Sequence, residues 1–189
     1  MSAEIVTSEI KHRGWSTFSV VQARLADGSL IRREVEDHGN AACVLPYDPT
    51  RRVATLVRQL RVPMVRAGGP PTLIEAPAGT IDPGEDEVAA ARRETEEETG
   101  IRLASLEAVA AVWSMPGVST ERLSMFLAAY NDADRIGAGG GDASEDIEVI
   151  EMPLAELAAM ADAGTLTDMK AFTLIQTLRL RRPDLFTPA

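Results

Sequence analysis

The stretch GTIDPGEDEVAAARRETEEETGI, residues 79–101, constrains this chain more than any other. Asp-Pro-Gly at 82–84 reads as a turn and Gly100 as a helix stop, so the spacing predicts a helix over 87–99. Four glutamates, Glu94, Glu96, Glu97 and Glu98, crowd its C-terminal end. That end carries partial negative charge, so each exposed carboxylate there costs roughly 0.3–1 kcal/mol. Val88, Ala91, Thr95 and Thr99 recur at helical spacing and predict a small, mostly uncharged stripe that packs on a sheet. Glu94, Glu97 and Glu98 share a different face, where like charges repel, and Arg93 lies four before Glu97 and can pair with it. Two readings of the cluster stand: a solvated acidic face, or a preorganised site for Mg²⁺, a hard cation that takes carboxylate oxygens, waters and substrate phosphates.

With 189 residues the chain suffices for a compact domain with a sizeable core. The net charge of −10 argues against sequence-independent nucleic-acid binding, which needs a basic face. An anionic substrate would need help here, most simply from bound divalent cations. Cys43 is the sole cysteine, which excludes an internal disulfide or thiolate zinc cluster, and it reads as a small buried hydrophobe in AACVLPY. No signal-peptide pattern opens the sequence, and no apolar run approaches the roughly 20 residues that span a bilayer. The expected location is cytoplasmic, with no membrane partner.

Residues 16–25 and 30–37 flank Ala-Asp-Gly-Ser and predict a hairpin; 41–48 and 52–61 flank Pro-Thr-Arg and predict a second. Further strands are expected at 71–79, 104–113, 121–130 and 147–152, and helices at 153–164 and 167–182. Strands and helices mix without a strict βαβ rhythm, so the fold class is α+β. The glycine-rich segment 136–146 lacks the Gly-Lys-Ser/Thr of a phosphate loop; it reads either as a linker or as a mobile active-site loop. His12 and His38 read as surface or hairpin residues.

Gly79, Glu85, Arg93, Glu94, Glu97, Glu98, Gly100 and Ile101 fill every fixed position of the pattern G-x5-E-x7-R-E-U-x-E-E-x-G-U, where U is usually a bulky apolar residue. Only Thr95 departs, standing where an aliphatic residue is common. The segment resembles the signature of the Nudix hydrolases. That resemblance implies an α/β/α sandwich around a mixed sheet, here with an N-terminal antiparallel strand pair. It also implies Mg²⁺, with Mn²⁺ as a substitute, held by Glu94, Glu98 and the Ala78 carbonyl beside Gly79. Glu97 would assist, Arg93 would orient the carboxylates, and Glu85 would tie the loop to the helix.

Pro116, 15 residues after Ile101, and the segments LVRQLRVP, LIEAPAG, GGGDASEDIEVIEMPLAEL and DMKAFTLIQTLRL are similar to the ADP-ribose and nucleotide-sugar pyrophosphatase branch. By that resemblance Glu145, or Asp146 if the register slips by one, completes the metal set from the glycine-rich loop. Arg61 would contact the diphosphate or sugar, Glu121 and Lys170 would line the sugar-phosphate side, and Trp15 would stack on the base. Arg32, Arg33 and Glu34 would reach the partner's nucleotide in a homodimer with exchanged N-terminal strands. The implied organisation is a dimerisation element at 1–38 and a hydrolase domain at 39–189. The implied reaction is cleavage of a nucleotide sugar such as GDP-mannose, with ADP-ribose as the alternative substrate. A non-catalytic nucleotide sensor would have a broken box and an added basic module, and neither is present in the sequence.

Overall fold

The computed structural model describes residues 2–141 and 146–187. The chain forms two compact units, residues 1–40 with 111–123, and residues 41–110 with 124–189.

The first unit is built on an antiparallel sheet of β1 (Ala3–Arg13), β2 (Thr17–Leu25) and β3 (Leu30–Asp37), in that order. The β2–β3 hairpin turns where sequence expects, with Gly28 left-handed and the Asp27 carboxylate accepting from the Ser29 amide and hydroxyl. The expected strand pair is in fact three strands. Sequence does not announce β1 because every residue in it is exposed, so the alternation of a half-buried strand is missing. Segment 115–120 is bonded to β3: Glu36 N–H donates to Val118 O and Thr120 N–H to Glu36 O.

The second unit contains β4 (Ala41–Asp48), β5 (Val53–Leu60), α1 (Val62–Arg66), β6 (Thr72–Glu75), β7 (Ala78–Thr80) and α2 (Glu87–Thr99). It continues through β8 (Glu107–Trp113), β9 (Arg122–Ala129), β10 (Ile147–Pro153), α3 (Leu154–Asp162) and α4 (Met169–Arg181). Residues 111–113 and 122–123 of β8 and β9 are counted with the first unit. The sheet runs β10-β5-β4-β9-β8, with β6 added to β5 and β7 to β4. β4 is buried along its whole length, as a strand covered on both faces must be. Ala42 and Val44 join Ala90, Ala91, Ile101, Leu103, Phe126, Ala128 and Tyr130 in the core beneath α2. Cys43 and Leu45 alternate with them and are equally buried. α4 also packs on β4, and it buries Leu174, Ile175 and Leu178 while α3 buries Leu154 and Leu157. Few aromatics are available, so aliphatic side chains worth about 1.5–3 kcal/mol each when fully buried carry this core.

One strand expected over 71–79 is two. β6 pairs with β5, Val57 opposite Glu75, and β7 pairs with β4, Cys43 opposite Ala78. Pro77 stands at the break: it has no N–H to give a ladder, and its carbonyl accepts from Val44 N–H at 3.0 Å. The change of partner presents Ala78 and Gly79 to α2, with which β7 is in contact.

Candidate active site

α2 begins where its chemistry says. The Asp86 carboxylate accepts from the amides of Val88 and Ala89, and Gly100 closes the helix in the left-handed region. Its buried residues are Ala90, Ala91, Thr95, Glu98 and Thr99. Val88 is 39% exposed, so the expected stripe is corrected there: Val88 lies in the first turn at the rim of the buried arc. Thr95 fits the core because its hydroxyl donates to the Ala91 carbonyl one turn back, at 2.7 Å.

The buried arc contains a carboxylate. Glu98 is 3% exposed, and one of its oxygens accepts from Ala78 N–H at 3.1 Å. Glu94, one turn earlier, also turns to β7; a Cβ built on Gly79 would overlap its carboxylate. A side chain at this position would push the Glu94 carboxylate away from β7. Glu97 does not share their surroundings. Its side chain is more than half exposed and reaches Arg93 at 3.3 Å; on the helix it is offset by about 100° from Glu98 and about 60° from Glu94.

Arg93 ties the cluster together. It forks onto Glu85 with bonds of 3.0 and 2.9 Å, and donates to Glu94 at 2.6 Å and to the Thr80 carbonyl at 3.0 Å. Hydrogen bonding to Glu85 is the chief reason its guanidinium is held even more firmly protonated than usual. Glu85 in turn accepts from Asp82 N–H, and its carboxyl is held below the usual range by Arg93. Glu96 turns away and forks with Arg102 at 2.9 and 2.8 Å. The helix end is neutralised from outside as well. Gly140 N–H donates to Glu98 O at 2.9 Å and Gly141 N–H to Glu97 O at 3.1 Å, placing donors where the helix leaves carbonyls without intrahelical partners.

Beside this cluster lies a network that sequence reasoning half missed. Arg61 forks onto Glu75 at 2.5 and 2.9 Å, and Lys170 donates to Glu75 and Asp168, each at 2.8 Å. Asp168 caps α4 through the Lys170 and Ala171 amides and also accepts from Ala76 N–H. Arg61 and Lys170 were expected as site residues; Glu75 and Asp168 were not. The available signals were a lone acid in the apolar run LIEAP and an Asp just before a helical pattern.

In the first unit, His38 was expected to be a surface or hairpin residue; it directly follows β3, but the surface reading is corrected. Its side chain is mostly buried, with Nδ1 2.9 Å from Glu36 and Nε2 3.2 Å from Glu121. Burial opposes its charge, but hydrogen bonds to the two glutamates outweigh it and raise the imidazole pKa. Trp15 is 81% exposed and stacks on the His38 ring with centroids 4.8 Å apart. Arg32, Arg33 and Glu34 on β3 line an open groove of about 570 Å³ with Gly117 and Val118. Of the expected site residues, Trp15, Arg32, Arg33, Glu34 and Glu121 belong to the first unit; Arg61, Ala78, Gly79, Arg93, Glu94, Glu97, Glu98 and Lys170 belong to the second. Glu145 lies outside the described residues, and Asp146 is exposed.

The family model for the NUDIX domain matches residues 37–172. The chain belongs to the Nudix family. It is 43% identical over 158 residues to a GDP-mannose pyrophosphatase of Cronobacter sakazakii, covering 82% of each chain. It is 36% identical over 184 residues to the GDP-mannose pyrophosphatase of Klebsiella pneumoniae, covering 95% of this chain and 92% of that one. Among solved structures, an ADP compounds hydrolase superposes with a TM-score of 0.78 at 19% identity, over 97% of this chain and 96% of that one; the likeness shows a shared fold. This Nudix chain is an enzyme that hydrolyses pyrophosphate bonds.

Nudix pyrophosphatases use a divalent metal, and the donors here fit one. Glu94 and Glu98 offer hard carboxylate oxygens to the same short strand, Glu94 in the space that the missing side chain of Gly79 leaves. Among the described residues these two are not joined by a third acidic, histidine or cysteine side chain in a metal-holding group.

Proposed function

We propose that this Nudix enzyme hydrolyses the pyrophosphate link of a nucleotide sugar of the GDP-mannose type, with Mg²⁺, or Mn²⁺ in its place, to a nucleoside monophosphate and a sugar phosphate. The observation that carries the reading is the pair of carboxylates on successive turns facing β7, Glu94 bonded to Arg93 beside Gly79 and Glu98 bonded to the Ala78 amide, in a chain whose similar relatives are GDP-mannose pyrophosphatases. Glu94, Glu98, the Ala78 carbonyl and Glu145 would hold the metal, whose chemistry when bound would be to neutralise the diphosphate and to acidify a water. Arg93 keeps Glu94 and Glu97 oriented by charge-assisted hydrogen bonds. A carboxylate, from Glu145 or from the box residues Glu97 and Glu98, accepts the proton of the attacking water. Arg61 and Lys170 contact the diphosphate and Glu121 the sugar side. Trp15 stacks on the base, and Arg32, Arg33 and Glu34 reach the nucleotide held by the other subunit of a homodimer. In that arrangement residues 1–38 are the dimerisation element and 39–189 the hydrolase domain of a cytoplasmic enzyme. No helix of the described residues is long and apolar enough to cross a membrane.

A screen of GDP-mannose, other nucleotide sugars and ADP-ribose with Mg²⁺, reading released monophosphate, tests this. GDP-mannose is expected to give the highest kcat/KM. Faster turnover of ADP-ribose would transfer the assignment to that substrate, and no release from any compound with either metal would end it.

A further inference from the structure

Glu75 and Asp168 are nearly inaccessible, and a buried carboxylate needs strong partners to stay charged. Both have them. Burial opposes the charge on Glu75, yet hydrogen bonds from Arg61 and the nearby Lys170 ammonium hold its carboxyl below the usual range. One oxygen of Glu75 accepts from Arg61 Nη2 at 2.9 Å and from Lys170 Nζ at 2.8 Å, and the other accepts from Arg61 Nε at 2.5 Å. A guanidinium and an ammonium that would otherwise repel are thus set side by side on one carboxylate. The bonds to Glu75 and Asp168 use two of the three ammonium N–H groups and two of the five guanidinium ones, so each cation keeps donors for a ligand. The network also reaches the metal helix. Asp168 holds the Ala76 amide and Glu98 holds the Ala78 amide, so segment 76–78 is strapped from α4 on one side and α2 on the other.

We propose that Glu75, supported by Asp168, is a positioning residue that presents Arg61 and Lys170 as a matched pair of donors to the two phosphoryl groups of the substrate's diphosphate. This rests on the reading that Arg61 and Lys170 contact the diphosphate. The four charges sum to zero, so the network does not attract an anion by excess charge; what it supplies is two cations fixed at one spacing. Positioning of this kind reduces the reorganisation needed when the phosphates arrive.

The sign of one substitution separates positioning from simple electrostatics. Glu75→Gln removes a negative charge next to two cations, so charge alone predicts tighter binding of an anion. Positioning predicts weaker binding, because the amide keeps one accepting oxygen where the carboxylate offers two, and its NH2 group cannot accept from either cation. Glu75→Asp keeps the charge and loses the reach, and decides the matter if the Gln variant does not fold. We expect both variants to bind inorganic pyrophosphate at least about tenfold more weakly by calorimetry, with kcat/KM falling by a similar factor. Mn²⁺ binding measured by paramagnetic resonance should be unchanged. In ¹⁵N spectra, the slowly exchanging Arg61 Nε–H and Lys170 ammonium signals of the parent should be lost or broadened. Pyrophosphate binding that is unchanged or tighter in the folded variants overturns the proposal. So does full additivity in a cycle with Arg61→Ala, since a residue acting through Arg61 and Lys170 has less to lose once Arg61 is gone. If the parent hydrolyses no nucleotide sugar, the functional reading fails on its own, while the pyrophosphate comparison still decides the role of Glu75.

Discussion

Glu96 and Glu98 stand two residues apart on the same helix and live in different media. Glu96 is paired with Arg102 in solvent, whereas Glu98 is buried and bonded to a backbone amide. The first kind of pair contributes little, because water and salt screen it. The second fixes a charge where the dielectric is low and every oxygen must be satisfied. Glu98→Gln keeps an acceptor for Ala78 and removes the charge, and it should lower metal-dependent turnover at least about a hundredfold, the scale of losing a key electrostatic group. Glu96→Gln should leave both turnover and the unfolding midpoint near those of the parent. Steady-state kinetics and a thermal melt of the two variants side by side check this; equal effects would mean that burial does not distinguish the two acids functionally.

At the scale of elements, the last turn of α2 is held by a distant loop as well as by its own Gly100 cap. Gly139 is left-handed at φ 71°, and a Cβ built on it would overlap the Glu98 carbonyl and the Thr99 backbone. The neighbouring amides of Gly140 and Gly141 then reach the helix carbonyls. Gly139→Ala must move either the loop or the turn that carries Glu97 and Glu98. Left-handed backbone strain alone costs about 1–3 kcal/mol; displacement of the turn adds a loss in turnover of at least about tenfold. Gly28→Ala provides the contrast, because Gly28 has a similar left-handed φ but open space around it. It should lower the melting temperature without lowering turnover. A Gly139→Ala enzyme with parental kinetics would show that the close approach is not needed for the site.

On the scale of the whole molecule, the N-terminal sheet leaves a problem for a chain carrying a net charge of −10. β1 is an edge strand, exposed along its eleven residues, with Ile5 63% and Ile10 47% exposed. A long exposed edge with apolar side chains is a template for pairing with another chain. The proposed dimer would cover it, in two identical copies related by closed symmetry. Ile5→Glu with Ile10→Glu places like charges on that face twice per dimer and should convert a dimer to a monomer in light scattering. A parent protein that is monomeric at working concentration, or a doubly substituted one that stays dimeric, would exclude β1 as the dimer contact.

What the sequence determined by itself was local. Asp86, the Asp-Pro-Gly turn and Gly100 bound α2 to the residue, since caps and turns depend on neighbours within a few positions. The spacing of Glu94 and Glu98 put two carboxylates on successive turns, and the box pattern pointed to the Nudix family. Tertiary structure decided which acids are buried. It separated Glu97 from Glu98, broke residues 71–79 into two strands with different partners, and enclosed His38 between two glutamates. It also joined Glu75 to Lys170 across 95 positions and set Arg61 beside them. Pairings of that range leave no periodicity to read. They exist only once the sheet brings β6 and the start of α4 together, and burial then makes an ion pair obligatory where in solvent it would have been optional.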